Sequence, residues 1–438
     1  MKVCIIGAGA GGRNASGRIR QLDKNAQIDI FSTQSEIGYA PCELPFVLRR
    51  SFTNWDDIFY PGNFFEQNRI SVHLNIEITD ILRDKKFIIA GNQSYPYDKL
   101  ILSLGAQPTI PDIPGLDGQN EFTLSSNIAD GKALDAIISK HNRAAVIGAG
   151  AIGIEITLAL LERGYDPVYL LDVMPQILPA SLDEDMTEKI EDLMEKKGVK
   201  LILPARIERV TSGFGKKIIT LKEQELEVDF MVLATGAEPK TGLAKKAGIK
   251  TGETGAIVVN EYLQTSDPDI YAVGDCMENW EVITEGKTRR LMVTTAGITG
   301  NVAGTNLVKE SSIPYQGTAM TFIIKIFDYQ IGSVGFTERM ARQKGLDVTC
   351  VTSKVPRTRP AYGGKGVYYK FIADRKTQTL VGAQLISEHE IAGMINELAV
   401  VLMNRIPLSI FSQLDIPYSP LIGPDPVRTC VAELLAKL

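Results

Sequence analysis

The chain has 438 residues, 44% of them hydrophobic and 23% charged, with a formal net charge of -5 at pH 7. That length is too great for one ordinary hydrophobic core, so two or three domains are expected. The acidic balance argues against nucleic acid or an anionic membrane surface as the main partner. No apolar run reaches membrane-spanning length, and the strand-like opening Met1-Lys2-Val3-Cys4-Ile5-Ile6 leaves no room for a signal peptide. Five scattered cysteines (Cys4, Cys42, Cys276, Cys350, Cys430) form no C-x-x-C pair and no metal-ligand spacing. The expectation is a cytoplasmic protein with reduced thiols.

Val3-Cys4-Ile5-Ile6 reads as a buried parallel-type strand, followed by Gly7-Ala8-Gly9-Ala10-Gly11-Gly12 and a helix from Arg13 to Leu22. Strand, glycine turn and helix in that order fit a dinucleotide-binding turn. Gly7 makes the tight turn, Gly9 admits a pyrophosphate to the backbone, and Gly12 lets the helix pack on the strand; Gly11 belongs to the same set. The helix N-terminus offers free N–H donors to the phosphates. The next strand, Gln27 to Phe31, ends at Ser32, where such folds place a ribose-binding carboxylate. A neutral hydrogen bond contributes about 1 kcal/mol against about 1.5–3 for a charged acceptor, so one ribose contact is weakened.

Ile37-Gly38-Tyr39-Ala40-Pro41-Cys42-Glu43-Leu44-Pro45-Phe46 follows, with a helix able to continue through Arg50. Cys42 thus stands where a loop gives way to a helix N-terminus, which favours a thiolate. A helix terminus contributes about 0.3–2 kcal/mol, while lowering a thiol from about 8.5 to about 5.5 takes about 4 kcal/mol. A second electron-poor neighbour is therefore required.

Leu100 to Ala106 is a strand running into a glycine turn, with Ser103 and Gly105 as cofactor-binding candidates. After the Pro/Gly-rich connection Ala106 to Gly118 the first pattern returns. Ala144-Ala145-Val146-Ile147 precedes Gly148-Ala149-Gly150-Ala151-Ile152-Gly153 and a helix through Arg163, with Glu155 just past the turn. The strand Val168 to Leu171 ends in Asp172, a carboxylate placed for an adenosine ribose. It would repel a 2′-phosphate, and Val173 to Ala180 holds no Arg or Lys, so NADH is favoured over NADPH. Two such turns imply two bound dinucleotides.

Met231 to Ala237 repeats the strand-then-glycine turn at Gly236, and Ile270 to Asp275 is a buried strand ending in a carboxylate suited to a sugar-alcohol hydroxyl. Thr295 joins the cofactor-binding candidates. From Thr321 the pattern changes to antiparallel strands, Thr321 to Phe327, Gln330 to Phe336, Val348 to Lys354, Gly366 to Ala373 and Gln378 to Ile386. Helices are expected at His389 to Arg405 and Val427 to Lys437. This α+β segment reads as core and subunit interface.

The two glycine turns, Leu233-Ala234-Thr235-Gly236, Tyr271-Ala272-Val273-Gly274-Asp275 and the Cys42 loop together resemble the pyridine nucleotide-disulfide oxidoreductase family. The likeness spans essentially the whole chain. It implies an α/β fold with two Rossmann-like dinucleotide-binding domains, for FAD and NAD, plus a C-terminal α+β dimerisation domain. The implied order is FAD domain 1–108, NAD domain 109–253, FAD domain again 254–320, and dimerisation domain 321–438. Family members with two redox cysteines place the second where Val47 stands here, and the C-terminal His–Glu pair of that branch is missing.

The chain is therefore similar to the single-cysteine branch, which includes coenzyme A-disulfide reductases, NADH-dependent persulfide and polysulfide reductases, NADH oxidases and NADH peroxidases. Oxidase and peroxidase members place a His where this chain has Ala10. The helix that follows is more similar to the coenzyme A-disulfide reductases, whose basic residues there meet the coenzyme's phosphates. Arg20 matches such a position, Gln21 replaces a second Arg, and Arg18 stands as its substitute.

That subgroup also gives two tyrosines to the partner subunit's active site. Tyr362 matches the first; Tyr418, in the shortened run Leu414 to Pro420, stands for the second or for a later aromatic. The implied activity is FAD-dependent reduction of coenzyme A disulfide, persulfide or polysulfide by NADH through Cys42, in a homodimer. Glu155 would face the flavin–nicotinamide junction or lie on an ordinary exposed helix face. The alternative is an NADH oxidase acting on oxygen or peroxide through a Cys42 sulfenic acid.

Overall fold

The computed structural model describes residues 1–52, 54–60, 63–356, 364–417 and 426–438. Its first sheet is built on β1 (Lys2–Ile6), which enters α1 (Ala10–Leu22) and returns as β2 (Gln27–Phe31). The strand order is Ile270–Ala272, Lys99–Leu102, β1, β2, Ser71–His73, all parallel. Residues far apart in sequence thus complete one sheet, with Ile270–Ala272 at its edge. Its central strands are largely apolar, β1 burying Val3 to Ile6 and Lys99–Leu102 burying Leu100 to Leu102, because both faces are covered.

A second parallel sheet repeats the plan in the order Val199–Ile202, Val168–Leu171, Ala144–Ile147, Phe230–Leu233, Glu121–Phe122. The chain crosses between the two sheets twice, and the crossings pair with each other, Ala106–Pro108 antiparallel to Ala237–Pro239. The glycine turns at Gly105 and Gly236 lie at this ribbon, where Lys240 N–H bonds Gly105 O at 3.0 Å and Thr109 N–H bonds Gly236 O at 2.9 Å.

The third unit is a five-stranded antiparallel sheet in the order Phe322–Ile326, Tyr329–Gly335, Thr379–Ser387, Gly366–Asp374, Val348–Pro356. Helices Ala392–Met403 and Pro426–Leu435 follow it; the first is shorter at both ends than expected, while the second starts one residue earlier and stops two residues sooner. The short helix Glu338–Gln343, absent from the sequence reading, is capped by Thr337, whose side chain accepts from Met340 N–H. Ile324, Ile326, Ile331 and Ile386 of this sheet share one apolar core with the second parallel sheet. Among the described residues, no helix is long and apolar enough to cross a membrane.

Candidate functional site

The two glycine turns are sterically alike. Gly7 adopts φ +108° and Gly148 φ +111°, and a Cβ on either would strike a neighbouring carbonyl, of Ser103 and Ala234 respectively. A Cβ on Gly12 or Gly153 would run into the carbonyl of Gly7 or Gly148. Gly9 and Gly150 have nothing within 4 Å of where a Cβ would lie, so open space faces each helix N-terminus. Both helices begin on an extended glycine with no side chain capping them. Free N–H donors beside open space suit a pyrophosphate.

The first turn gathers the other candidates around it. A Cβ on Gly11 would meet Ser103 Oγ and Val273 Cγ2, both at 2.9 Å, with the Ala296 carbonyl at 3.6 Å. Ser32 is buried at the end of β2, its Oγ accepting from Gln34 N–H at 3.2 Å. Thr295 is buried near the start of the long helix Val293–Lys309, and Thr299 from that helix accepts from Gly274 N–H at 3.0 Å. Asp275 Oδ1 is buried with no hydrogen-bond partner, and burial pushes its carboxyl up to about 6. A buried acceptor left empty in this way calls for a donor such as a ligand hydroxyl. The residues present fit a dinucleotide at this turn.

Helix Val293–Lys309 crosses α1 on small residues. A Cβ on Gly300 would clash with the Gly11 carbonyl, and one on Gly304 would lie 2.8 Å from the Ala15 carbonyl. The close crossing keeps Asp275, Thr295 and the first turn together.

In the second turn, Asp172 stands at the end of its strand. Its Oδ2 accepts from Ala149 N–H at 2.7 Å and its Oδ1 from Met174 N–H at 2.8 Å. Both oxygens keep lone pairs for a ribose diol.

Cys42 is the one exposed cysteine of the five. It lies in a single 3-10 turn, Pro41–Glu43, directly before α2 (Leu44–Leu48). The expected thiolate is not produced by the chain alone. Burial of the sulfur raises its pKa first, and the carboxylates of Glu43 and Glu155 raise it further. Five helical residues make too small a dipole to reverse this.

Docking of α2 on the second domain brings Glu155 near Cys42. Arg49 Nε donates to Glu162 Oε2 at 3.0 Å, and Arg163 Nη1 donates to the Leu48 carbonyl at 3.1 Å. Glu155 is half-buried, and burial lifts its carboxyl to about 7 against the opposing pull of Arg49. It is thus no ordinary exposed helix residue.

The two arginines of α1 part company. Arg20 does not face a phosphate site: it is buried, with Nε on the Asn68 carbonyl at 2.7 Å, Nη1 on Lys24 at 2.9 Å and Nη2 on Arg69 at 2.9 Å. Its guanidinium knits the end of α1 to the loop before Ser71–His73. Arg18 stays half-buried, its Nε on Thr305 Oγ1 at 2.9 Å and its Nη1 on Gln21 Oε1 at 3.3 Å. A cation absent from the sequence reading stands nearby. Arg13 lies 4.3 Å from the Tyr60 ring centroid and 4.5 Å from that of Phe64, with Nε buried and unpartnered. Its place in the first turn of the glycine-turn helix was the available signal. Tyr362 and Tyr418 lie outside the described residues.

Comparison with known proteins follows these observations. Residues 1–298 match the family model described as pyridine nucleotide-disulphide oxidoreductase, and residues 321–428 match that family's dimerisation domain. An NADH oxidase of Methanocaldococcus jannaschii is 32% identical, the alignment covering 100% of this chain and 99% of that protein. An NAD(P)H coenzyme A polysulfide/persulfide reductase of Pyrococcus horikoshii is also 32% identical, over 97% of this chain and 96% of its own. Among solved structures, a water-forming NADH oxidase from Lactobacillus brevis bound to NADH superimposes with a TM-score of 0.95 at 26% identity, covering 100% of this chain and 98% of that one.

Proposed function

The chain belongs to the pyridine nucleotide-disulphide oxidoreductase family, and on that premise we propose that it carries electrons from NADH to a sulfur–sulfur bond through Cys42 alone. The observation that carries this is a lone exposed thiol in the turn before α2, with Val47 where a second cysteine would stand and the charge of Glu155, a carboxyl near neutral pKa, felt at the sulfur. FAD held at the first turn by Gly7, Gly9, Gly11, Gly12, Ser32, Ser103, Gly105, Asp275 and Thr295 supplies the two-electron chemistry between NADH and the sulfur side. Gly148, Gly150, Gly153, Asp172 and Gly236 hold NADH.

The protein's own steps are sulfur exchange and proton transfer. The Cys42 thiolate attacks one sulfur of a disulfide, persulfide or polysulfide, forming a mixed disulfide and expelling the other sulfur as a thiolate. Glu155, protonated below about pH 7, gives that leaving group its proton. Two electrons from NADH and one further proton then cleave the mixed disulfide, restoring Cys42 and releasing the second thiol. Thiolate character at Cys42 must come from the bound cofactor's field, since the chain itself raises the thiol.

Coenzyme A disulfide is the leading single acceptor. Support comes from Arg18 and Arg13 on α1, placed for a coenzyme's phosphates, and from the coenzyme A-linked name of the Pyrococcus relative. The active form is a homodimer, in keeping with the dimerisation domain matched at residues 321–428. Exposed apolar side chains on the dimerisation domain, Val400, Met403 and Ile410, are suited to that contact.

The second reading is an NADH oxidase, favoured by the names of the Methanocaldococcus and Lactobacillus relatives and opposed by Ala10 in the glycine turn. Steady-state rates with coenzyme A disulfide, polysulfide and oxygen, side by side, separate the two. Sulfur acceptors should be reduced at least tenfold faster than oxygen. Faster oxygen consumption, with Cys42 trapped as sulfenic acid, would establish the oxidase.

A further inference from the structure

The segment between the second glycine turn and the C-terminal domain, 173–183, is held at both ends. Leu178, at φ +48°, donates its N–H to the Ala149 carbonyl inside the glycine turn at 2.8 Å. A leucine in that conformation persists only where its surroundings demand it. Gln176 Nε2 bonds the Leu182 carbonyl at 2.8 Å and Ile177 N–H bonds Glu191 Oε1 at 2.9 Å, so the segment is braced as one piece.

Its far end is gripped by the C-terminal domain. Arg339 Nη2 donates to the Pro179 carbonyl at 2.8 Å. Asp183 precedes helix Glu184–Lys196 yet makes no side-chain cap there. Its carboxylate accepts instead from Glu338 N–H at 2.8 Å, Arg339 N–H at 3.2 Å and Gln384 Nε2 at 2.7 Å. Lys370 Nζ completes the cluster, 3.4 Å from Asp183 and 2.9 Å from both Asp185 and Glu338. Asp183, Lys370 and Gln384 are buried. Burial would raise the Glu338 carboxyl, but Lys370 and Arg342 hold it down to about 2, so Glu338 stays charged at working pH.

We infer that Asp183, Arg339 and Lys370 are positioning residues for NADH, through which the dimerisation domain sets where the Asp172 segment stands against the second glycine turn. The chain of contacts runs from Lys370 and Arg339, through Asp183 and Pro179, to Leu178 and the Ala149 peptide. The same residue's N–H, on the preceding peptide unit, holds Asp172 Oδ2. A hydrogen bond weakens steeply with misplacement, so slack at the outer grip is felt at the ribose. The inference rests on the second turn being the NADH site.

Lys370→Met would take the shared cation from Asp183, Asp185 and Glu338, leaving Arg342 on Glu338 alone, and risks unfolding. Arg339→Met, on an exposed side chain, and Asp183→Asn are gentler, and each is made in the full flavin-loaded protein. Equilibrium binding of NAD+ by calorimetry, with steady-state kinetics, should show its Kd and the KM for NADH rising 3- to 10-fold. kcat, the acceptor KM, flavin content and melting temperature should stay near the parent's, and Arg339→Lys should recover part of the affinity. NAD+ affinity unchanged in both variants, or lost only in step with melting temperature and flavin, would overturn the inference. A parent that binds no NAD+ or NADH would instead remove the NADH assignment of the second turn, and the inference with it.

Discussion

At the scale of single residues, Cys42, Asp172 and Glu155 carry separable parts of the proposed chemistry. Cys42→Ser should retain flavin and its bleaching by NADH while disulfide reduction falls at least a hundredfold; turnover near the parent's would take Cys42 out of the mechanism. Asp172→Ala removes an ionised acceptor, worth about 1.5–3 kcal/mol, so the KM for NADH should rise roughly 10- to 150-fold with little change in kcat. Should NADPH prove the better donor in the parent, the ribose assignment fails. Glu155 has a folded-state carboxyl near 7, above the ordinary 4.5. A raised carboxyl costs stability as pH climbs through that window, by about 3 kcal/mol above pH 7 at about 1.4 kcal/mol per unit. In the flavin-free chain Glu155→Gln should therefore raise the melting temperature at pH 8 and leave it nearly unchanged at pH 4. In the loaded enzyme the same variant should lose the decline in kcat that follows ionisation near pH 7.

At the scale of elements, the two glycine turns offer a matched pair of tests. A Cβ on Gly12 or Gly153 meets a carbonyl within its own turn, a clash that backbone movement alone can relieve. Gly12→Ala should yield protein with little bound flavin. Gly153→Ala should keep its flavin spectrum yet be bleached by NADH at least tenfold more slowly. Equal behaviour of the two in absorbance and stopped-flow would mean that the turns do not serve different nucleotides. The crossing of α1 with Val293–Lys309, close because of Gly300 and Gly304, belongs to the same scale. It explains why Asp275 and Thr295 return to a turn formed by the first residues of the chain.

At the scale of the whole molecule, the exposed apolar side chains of helix Ala392–Met403 and Ile410 belong to the family's dimerisation domain. Val400 is 58% exposed and Met403 40%, three residues apart on one helix face, an apolar pair open to cover by a second subunit. Val400→Asp with Met403→Asp should shift the protein toward monomer in analytical ultracentrifugation. It should also lower disulfide turnover more than flavin bleaching by NADH, if the proposed homodimer is the form that reduces the acceptor. An unchanged dimer would place the interface elsewhere. The polar cluster around Lys370 adds a second large-scale tie, joining the NADH domain to the same C-terminal sheet.

The glycine turns, the strand ends at Ser32 and Asp172, and the change to antiparallel strands after residue 320 were legible in the sequence. Each reflects steric or periodic demands settled within a few neighbouring residues. The strand expected to run to Asp275 instead stops at Ala272, and Asp275 lies in the 3-10 turn Gly274–Cys276. The influence of Glu155 on Cys42, the fate of Arg20 against that of Arg18, and the Arg13 sandwich were not legible. Arg18 and Arg20 sit two residues apart on one helix, and only the loop ending at Arg69 decides which guanidinium is consumed. Cys42 and Glu155 are more than a hundred residues apart, and the carboxylate's field reaches the sulfur because Arg49 and Leu48 dock on the second domain. Local sterics are written in adjacent letters, whereas a side chain's partner, and hence its charge state, is set by how separate domains pack.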